Sequence, residues 1–355
     1  MAEPIALNIL NRQHWEQAGD SERLGCVSCL DRDTCGSIRP LANVFSCRDY
    51  CCRSPGTCTR VCPEQPEAFV GRFQEVRGWE LDNIPRAVVG RSPELSVSIP
   101  IIFHKSRRGD VLRTQSVAIP LKLVVNRNAT RVNYASKGSM LRDLCVSSRA
   151  KLVLDCIGRD VLIENFWSER RASGLVKAIK RLHPSWVIAP NYSIFTDVPR
   201  WDNLYSMKRI AVVWSEFMAA GLPTALTLNA RTERDWARWT EFVLARPEVQ
   251  AVALELGTGG RYANRRAFML PRLRSLGIAA DRRLRLFLRG GRSYIPQLQD
   301  AFASVHLLDT NPFMKAVHRQ RVVENSGRIS SRPSFTLVEQ PIEHLLQDNV
   351  IASSR

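Results

Sequence analysis

Eight short apolar runs recur along the chain from about residue 95 onward, and no other feature limits the fold so strongly. They read SVSIPIIFH, VAIPLKLVV, KLVLDCI, WVIAPNY, PTALTLN, VQAVALEL, RLRLFLRG and SVHLLD. Each is continuous and rich in β-branched residues or leucine, the pattern of strands buried on both faces. Between most of them lie stretches with apolar residues at three- and four-residue spacing: NFWSERRASGLVKAIKRLH, RWDNLYSMKRIAVVWSEFMAAG, ERDWARWTEFVLARP and NRRAFMLPRLRSLG. Endings such as GL, RP and LG supply stop signals. Strand then helix, repeated to a count of eight, predicts an α/β protein built as a (β/α)8 TIM-type barrel. An open doubly wound sheet is the alternative, and the first two runs are the least secure strands, because the helix between them is missing or very short.

The expected organisation is a Cys-rich metal-binding module over residues 1–80, the barrel over 81–325 and a C-terminal tail over 326–355. A helix and linker are expected over 68–87. The polar SGRISSRPSF stretch near the end precedes a last short helix around IEHLLQD.

Eight of the ten cysteines are concentrated near the start: Cys26, Cys29 and Cys35, then Cys47, Cys51, Cys52, Cys58 and Cys62. Nothing in the first residues reads as a secretory signal, so a reducing, cytoplasmic setting is expected. There a dense thiol cluster points to metal rather than disulfides. Eight thiolates can hold two four-thiolate sites, either zinc or iron–sulfur. The closing C-x3-C-P and the adjacent Cys51–Cys52 favour iron–sulfur narrowly. The commonest radical S-adenosylmethionine spacing is excluded, because Cys47-x3-Cys51 is followed by Ser54 where a cysteine is required. No nucleotide-cofactor fingerprint is evident.

The formal net charge is +17, with arginine runs in SRRG, SERRASG and AADRRLRLFLRGGRS. That excess favours a polyanionic partner, foremost nucleic acid, DNA or tRNA. No run approaches the roughly 18–20 apolar residues of a membrane span, so no membrane partner is expected.

In a barrel of this type chemistry sits at the C-terminal ends of the strands. The polar residues expected there are His104 and Lys105, Asp155, Asn191, Asn229 and Arg231, Glu255, Arg289 and Asp309. Asp155 and Glu255 are the candidate catalytic pair, since two carboxylates can supply a nucleophile and a general acid or base. His104, Asn191, Asp197, Asn229, Arg289, Gly290, Gly291 and Asp309 are the candidate substrate-binding residues. Glycine-rich turns, GTGGR after the sixth strand and RGGRS after the seventh, are expected to lead into helix N-termini suited to phosphate.

The stretch APNYSIFTDVPRWDNLYSMKR, with Asn191, Asp197-x-Pro199, Tyr205 and Arg209, resembles an uncharacterised family of phage and plasmid barrel proteins with a PDFSIY…DMP…Y…R segment. Asn191 stands where that pattern has Asp. The basic barrel, strand-end carboxylates and cysteine-bound metal together resemble the tRNA-guanine transglycosylase superfamily, which includes DNA-modifying relatives. That resemblance implies a pentosyltransferase exchanging guanine for a 7-deazaguanine in DNA or tRNA, with a small-molecule base as second substrate. The superfamily's tRNA enzymes carry zinc ligands as C-x-C-x2-C plus a late His, a spacing this chain lacks. Two other readings stand beside it: an iron–sulfur-dependent barrel oxidoreductase or cluster enzyme acting on a small molecule, and a non-catalytic nucleic-acid-binding protein.

Overall fold

The computed structural model describes residues 32, 69–88, 90, 92–196, 198, 200–257, 262–281, 284–325, 328–335, 337 and 340–354. The eight clustered cysteines, Cys26 to Cys62, lie outside the described residues, as do Asp197 and the glycines Gly259 and Gly260.

All eight apolar runs contribute strands: β1 (Ser98–Pro100), β2 (Ser116–Pro120), β3 (Lys151–Asp155), β4 (Trp186–Ile188), β5 (Thr224–Thr227), β6 (Ala251–Glu255), β7 (Arg285–Arg289) and β8 (Ser304–Asp309). Every neighbouring pair is parallel, and the order round the sheet follows the chain, with β1 beside β8. The seam between β1 and β2 is spanned by one parallel bridge, Ile101 with Ala118, and the Ile102 N–H donates to the Ala118 carbonyl at 3.1 Å. The sheet is therefore a nearly closed TIM-type ring, not an open doubly wound sheet.

Alternate residues fill the ring. Ile99, Ile101, Ala118, Val153, Trp186, Ile188, Ala225, Ala251, Ala253, Phe287 and Leu308 form one buried cluster. Their chain neighbours, such as Leu152, Leu154, Leu254, Leu286 and Leu307, belong to the larger core shared with the surrounding helices. Large rings and small side chains alternate: Trp186 and Phe287 meet at 5.2 Å between centroids, and Ala225, Ala251 and Ala253 make room for them. Residues just before β1 close the N-terminal end. The Trp186 indole donates to the Pro93 carbonyl at 3.2 Å, Arg285 pairs with Glu94 at 2.9 Å, and the His306 ring contacts the Ser96 carbonyl at 3.0 Å. Among the described residues the larger cavity lies at the C-terminal end.

The outer layer comprises α1 (Phe69–Val76), α2 (Leu121–Val124), α3 (Lys137–Asp143), α4 (Asp160–Glu169), α5 (Leu175–Lys180), α6 (Arg200–Ala219), α7 (Glu233–Leu244), α8 (Ala263–Ala279) and α9 (Asn311–Val317). Capping boxes start two of them, Ser136 with Ser139 and Thr232 with Asp235. Two apolar stretches divide where the sequence read as continuous. VAIPLKLVV ends as a strand at Pro120 and turns into α2, and the helical stretch after β3 breaks before Gly174, whose φ of +59° is left-handed. Helix α8 runs through Pro271, and its Gly277 lies against the loop before β8. A Cβ at Gly277 would stand 2.7 Å from a Phe302 ring carbon and 2.8 Å from the Ala301 carbonyl oxygen. Gly277→Ala is therefore expected to destabilise the fold by about 1–3 kcal/mol, measured by thermal or denaturant unfolding.

After α9 the chain forms a hairpin, β9 (Gln320–Asn325) with β10 (Arg328–Pro333), and then α10 (Glu343–Ser353). Helix α10 packs on the β1–β2 connection, which has no helix of its own. Arg108 pairs with Glu343, the Ile342 N–H donates to the Arg107 carbonyl at 3.0 Å, and Gln347 exchanges hydrogen bonds with the Arg113 backbone at 2.8 and 3.0 Å. Among the described residues no helix is long and apolar enough to cross a membrane.

Candidate active site

Strand phase decides what reaches the open end. On β3 the inward set runs Val153, Asp155; on β6 it runs Ala251, Ala253, Glu255; on β7 it runs Phe287, Arg289. Asp155, Glu255 and Arg289 are thus the last inward positions of their strands. Glu255 and Arg289 are directly paired in the β6–β7 register, and Arg289 Nε lies 3.4 Å from Asp155 Oδ2 across the ring. Above them is a cavity of about 300 Å³ walled by Phe103, Glu255, Gly257, Arg289, Gly290, Thr310 and Met314.

The two carboxylates differ in environment. Asp155 is fully buried; its Oδ1 accepts the Ile157 N–H at 3.0 Å, and its Oδ2 accepts no hydrogen bond among the described residues. Burial pushes its carboxyl above the usual carboxylate range, Arg289 and the Ile157 amide pull it back, and the Glu255 charge adds to the rise. Glu255 is partly exposed on the cavity wall, and its Oε1 accepts the Gly257 N–H at 2.7 Å. Arg289 is held from both sides, since its Nη1 also donates to the Ile157 carbonyl at 3.2 Å. Asp155 therefore acts on the cavity through Arg289, and Glu255 faces it directly.

Gly290 and Gly291, with φ of +76° and +74°, make the turn after β7. A Cβ on Gly290 would sit 3.4 Å from the Gly257 nitrogen, so the two glycine turns touch. The turn after β7 runs into a three-residue 3-10 segment, Arg292–Tyr294, not a helix, and the expected helix-dipole phosphate site is absent there.

The other expected residues are placed apart from this layer. His104 follows inward-phase Phe103 and packs edge-on against Phe313 at 4.8 Å. Burial and the cations Lys122, Arg108 and Arg107 lower its pKa below the ordinary histidine value, with a Ser106 backbone contact opposing. Lys105 pairs with Asp143 at 3.2 Å. Asn229 donates to Asn191 Oδ1 and to the Tyr192 carbonyl, both at 2.8 Å, and its own carbonyl accepts from the Trp239 indole at 2.8 Å, tying the loops after β4 and β5 together. Arg231 is buried beside Asn229. Asp309 is out of phase with inward Leu308; it accepts from Arg292 at 2.8 Å, and Arg292 also donates to the Ser353 carbonyl in α10. Among the described residues no group of three or more His, Cys, Asp or Glu side chains is placed to hold a metal ion; the thiol ligands proposed from sequence lie outside them.

Sequence reasoning found Arg289 but missed Phe103, Thr310 and Met314 of the cavity wall and Lys122 beside Phe103. Lys122 was hidden in an apolar run that read as strand. Its Nζ sits 5.2 Å from the centre of the Phe103 ring.

The Tyr205 and Arg209 positions of the phage-like segment belong to the outer layer. Arg209 pairs with Glu164 and lies 4.1 Å over the Tyr192 ring and 4.3 Å over the Tyr205 ring. Tyr205 donates to Glu75 of α1, and Asp202 pairs with Arg72. Burial raises the Asp202 carboxyl to about 6 from its ordinary 3.8, against the pull of Arg72 and Arg209. Because the folded value lies above the unfolded one, folding takes up a proton between about pH 4 and 6. The stability from this group is full below about pH 4 and lost as pH rises through about 6. Asp202→Asn is expected to flatten that part of the stability profile, measured by denaturant unfolding at pH 4, 5, 6 and 7.

No protein-family model matches this chain, and no curated protein matches it significantly. What the residues themselves define is a parallel barrel with two carboxylates and an arginine gathered beneath one cavity at its open end.

Proposed function

We propose that this chain is a pentosyltransferase that exchanges a base in nucleic acid, replacing guanine in DNA or tRNA with a free 7-deazaguanine. The observation that carries the reading is the layer of Asp155, Glu255 and Arg289 under a cavity of about 300 Å³. That volume lies at the lower end of small-molecule sites and suits one flipped-out nucleoside rather than a duplex. The +17 charge supports a polyanionic substrate.

In this mechanism a Glu255 oxygen attacks the anomeric carbon, and the carbon–nitrogen bond to guanine breaks with its electrons passing to the base. Arg289 steadies the charge on the departing base, which takes a proton from solvent. The incoming base loses its ring proton to solvent and attacks the same carbon, and the Glu255 carboxylate leaves. Asp155 holds Arg289 in place. The cysteine module is proposed to bind iron–sulfur or zinc, and metal analysis with a visible spectrum decides which.

Labelled guanine or 7-deazaguanine supplied with DNA or tRNA tests the reaction. Incorporation into either polymer supports it. Salt-sensitive binding of nucleic acid without any incorporation replaces it with the non-catalytic reading.

A further inference from the structure

Arg289 lines the cavity, Lys122 stands beside its Phe103 wall, and the charges of Arg159 and Arg289 both act on Lys122. The Lys122 ammonium lies 5.2 Å from the Phe103 ring centre. Arg289 also donates to the Ile157 carbonyl, two residues before Arg159 at the start of α4. Among the described residues neither Lys122 nor Arg159 has a carboxylate partner. Within this rim Glu255 is the carboxylate that lines the cavity, while Asp155 is buried beneath Arg289. The positive side is in excess, and like charges brought together favour a bound anion.

We propose that Lys122, Arg159 and Arg289 form a phosphate-binding subsite at the barrel mouth. Two guanidinium forks and an ammonium offer donors from several directions, which suits the oxygens of a tetrahedral phosphate better than a planar carboxylate. Burial and the charges of Arg159 and Arg289 lower the Lys122 pKa, as expected where cations crowd one point. This subsite rests on the reading of the mouth as the reacting site and names the part of the substrate held there: a phosphate one step along from the sugar under attack.

Lys122 and Arg159 are exposed, so their removal spares the core. Equilibrium dialysis with labelled inorganic phosphate, on the full chain and on Lys122→Ala and Arg159→Ala, tests the subsite. Each substitution is expected to weaken phosphate binding at least tenfold with an unchanged melting temperature. No binding by the wild type, or equal binding by the variants, overturns the proposal. A nucleoside 5′-monophosphate and an oligonucleotide without terminal phosphate are then set to compete. Displacement by the first alone assigns a monoester, displacement by the second assigns a backbone diester, and displacement by neither overturns the subsite. Phosphate binding without base exchange sinks the reaction alone; base exchange without phosphate binding sinks the subsite alone.

Discussion

Glu255→Gln is expected to slow base exchange by about 10²–10⁴-fold with no change in melting temperature. The side chain lies on the cavity wall, partly exposed, and accepts the Gly257 N–H, a bond that the amide oxygen of glutamine can still accept. The substitution removes the negative charge and little else. Asp155→Asn makes the contrast. Asp155 is buried and reaches the cavity only through Arg289, so its loss is expected to cost about tenfold by loosening a positioned group. It is also expected to alter the pH dependence of the rate, because the raised Asp155 carboxyl titrates beside that arginine. Single-turnover rates across pH, with unfolding curves for both variants, separate the roles. Equal rates for wild type and Glu255→Gln remove Glu255 from the chemistry.

The largest loss of stability is expected at Asp235, which does not line the cavity. Its carboxylate is fully buried, pairs with Arg200 from α6, and accepts the Arg231 and Thr232 N–H groups at 2.7 and 3.0 Å at the start of α7. Asp235→Ala removes a buried carboxylate from beside the Arg200 guanidinium and opens a helix start together. Removing one partner of such a pair costs about 3–5 kcal/mol, and at about 2–4 °C per kcal/mol for a domain of this size the melting temperature should fall by roughly 10 °C. Asp235→Asn keeps an oxygen for the amides and should cost less. A fall under about 1 kcal/mol for Asp235→Ala in denaturant unfolding would show that the pair with Arg200 is not what holds this helix start.

The barrel was legible because each strand of a parallel ring is buried on both faces, leaving eight uninterrupted apolar runs. The same burial hid the strand phase. With both faces apolar, no alternation separates Leu308, which points inward, from Asp309, which points out to Arg292, or Phe103 from His104. Strand-end position alone therefore gathered residues from two layers. Asp155, Glu255 and Arg289 share the inward phase; Asn191, Asn229 and Asp309 hold loops and the last helix. Lys122 was obscured for another reason: Pro120 ends the strand inside a run whose composition continues unchanged.

Helix α10 covers the stretch between β1 and β2 where the barrel has no helix of its own, joined there through Glu343, Gln347 and the Arg107 backbone. A ribosome delivers the first two strands long before their cover. Until the segment reaching Ser353 has emerged, the nascent ring lacks these bonds along that side, which stays open to chaperones and proteases. Completion of this fold is thus timed by the end of the segment, not by the closing of its sheet.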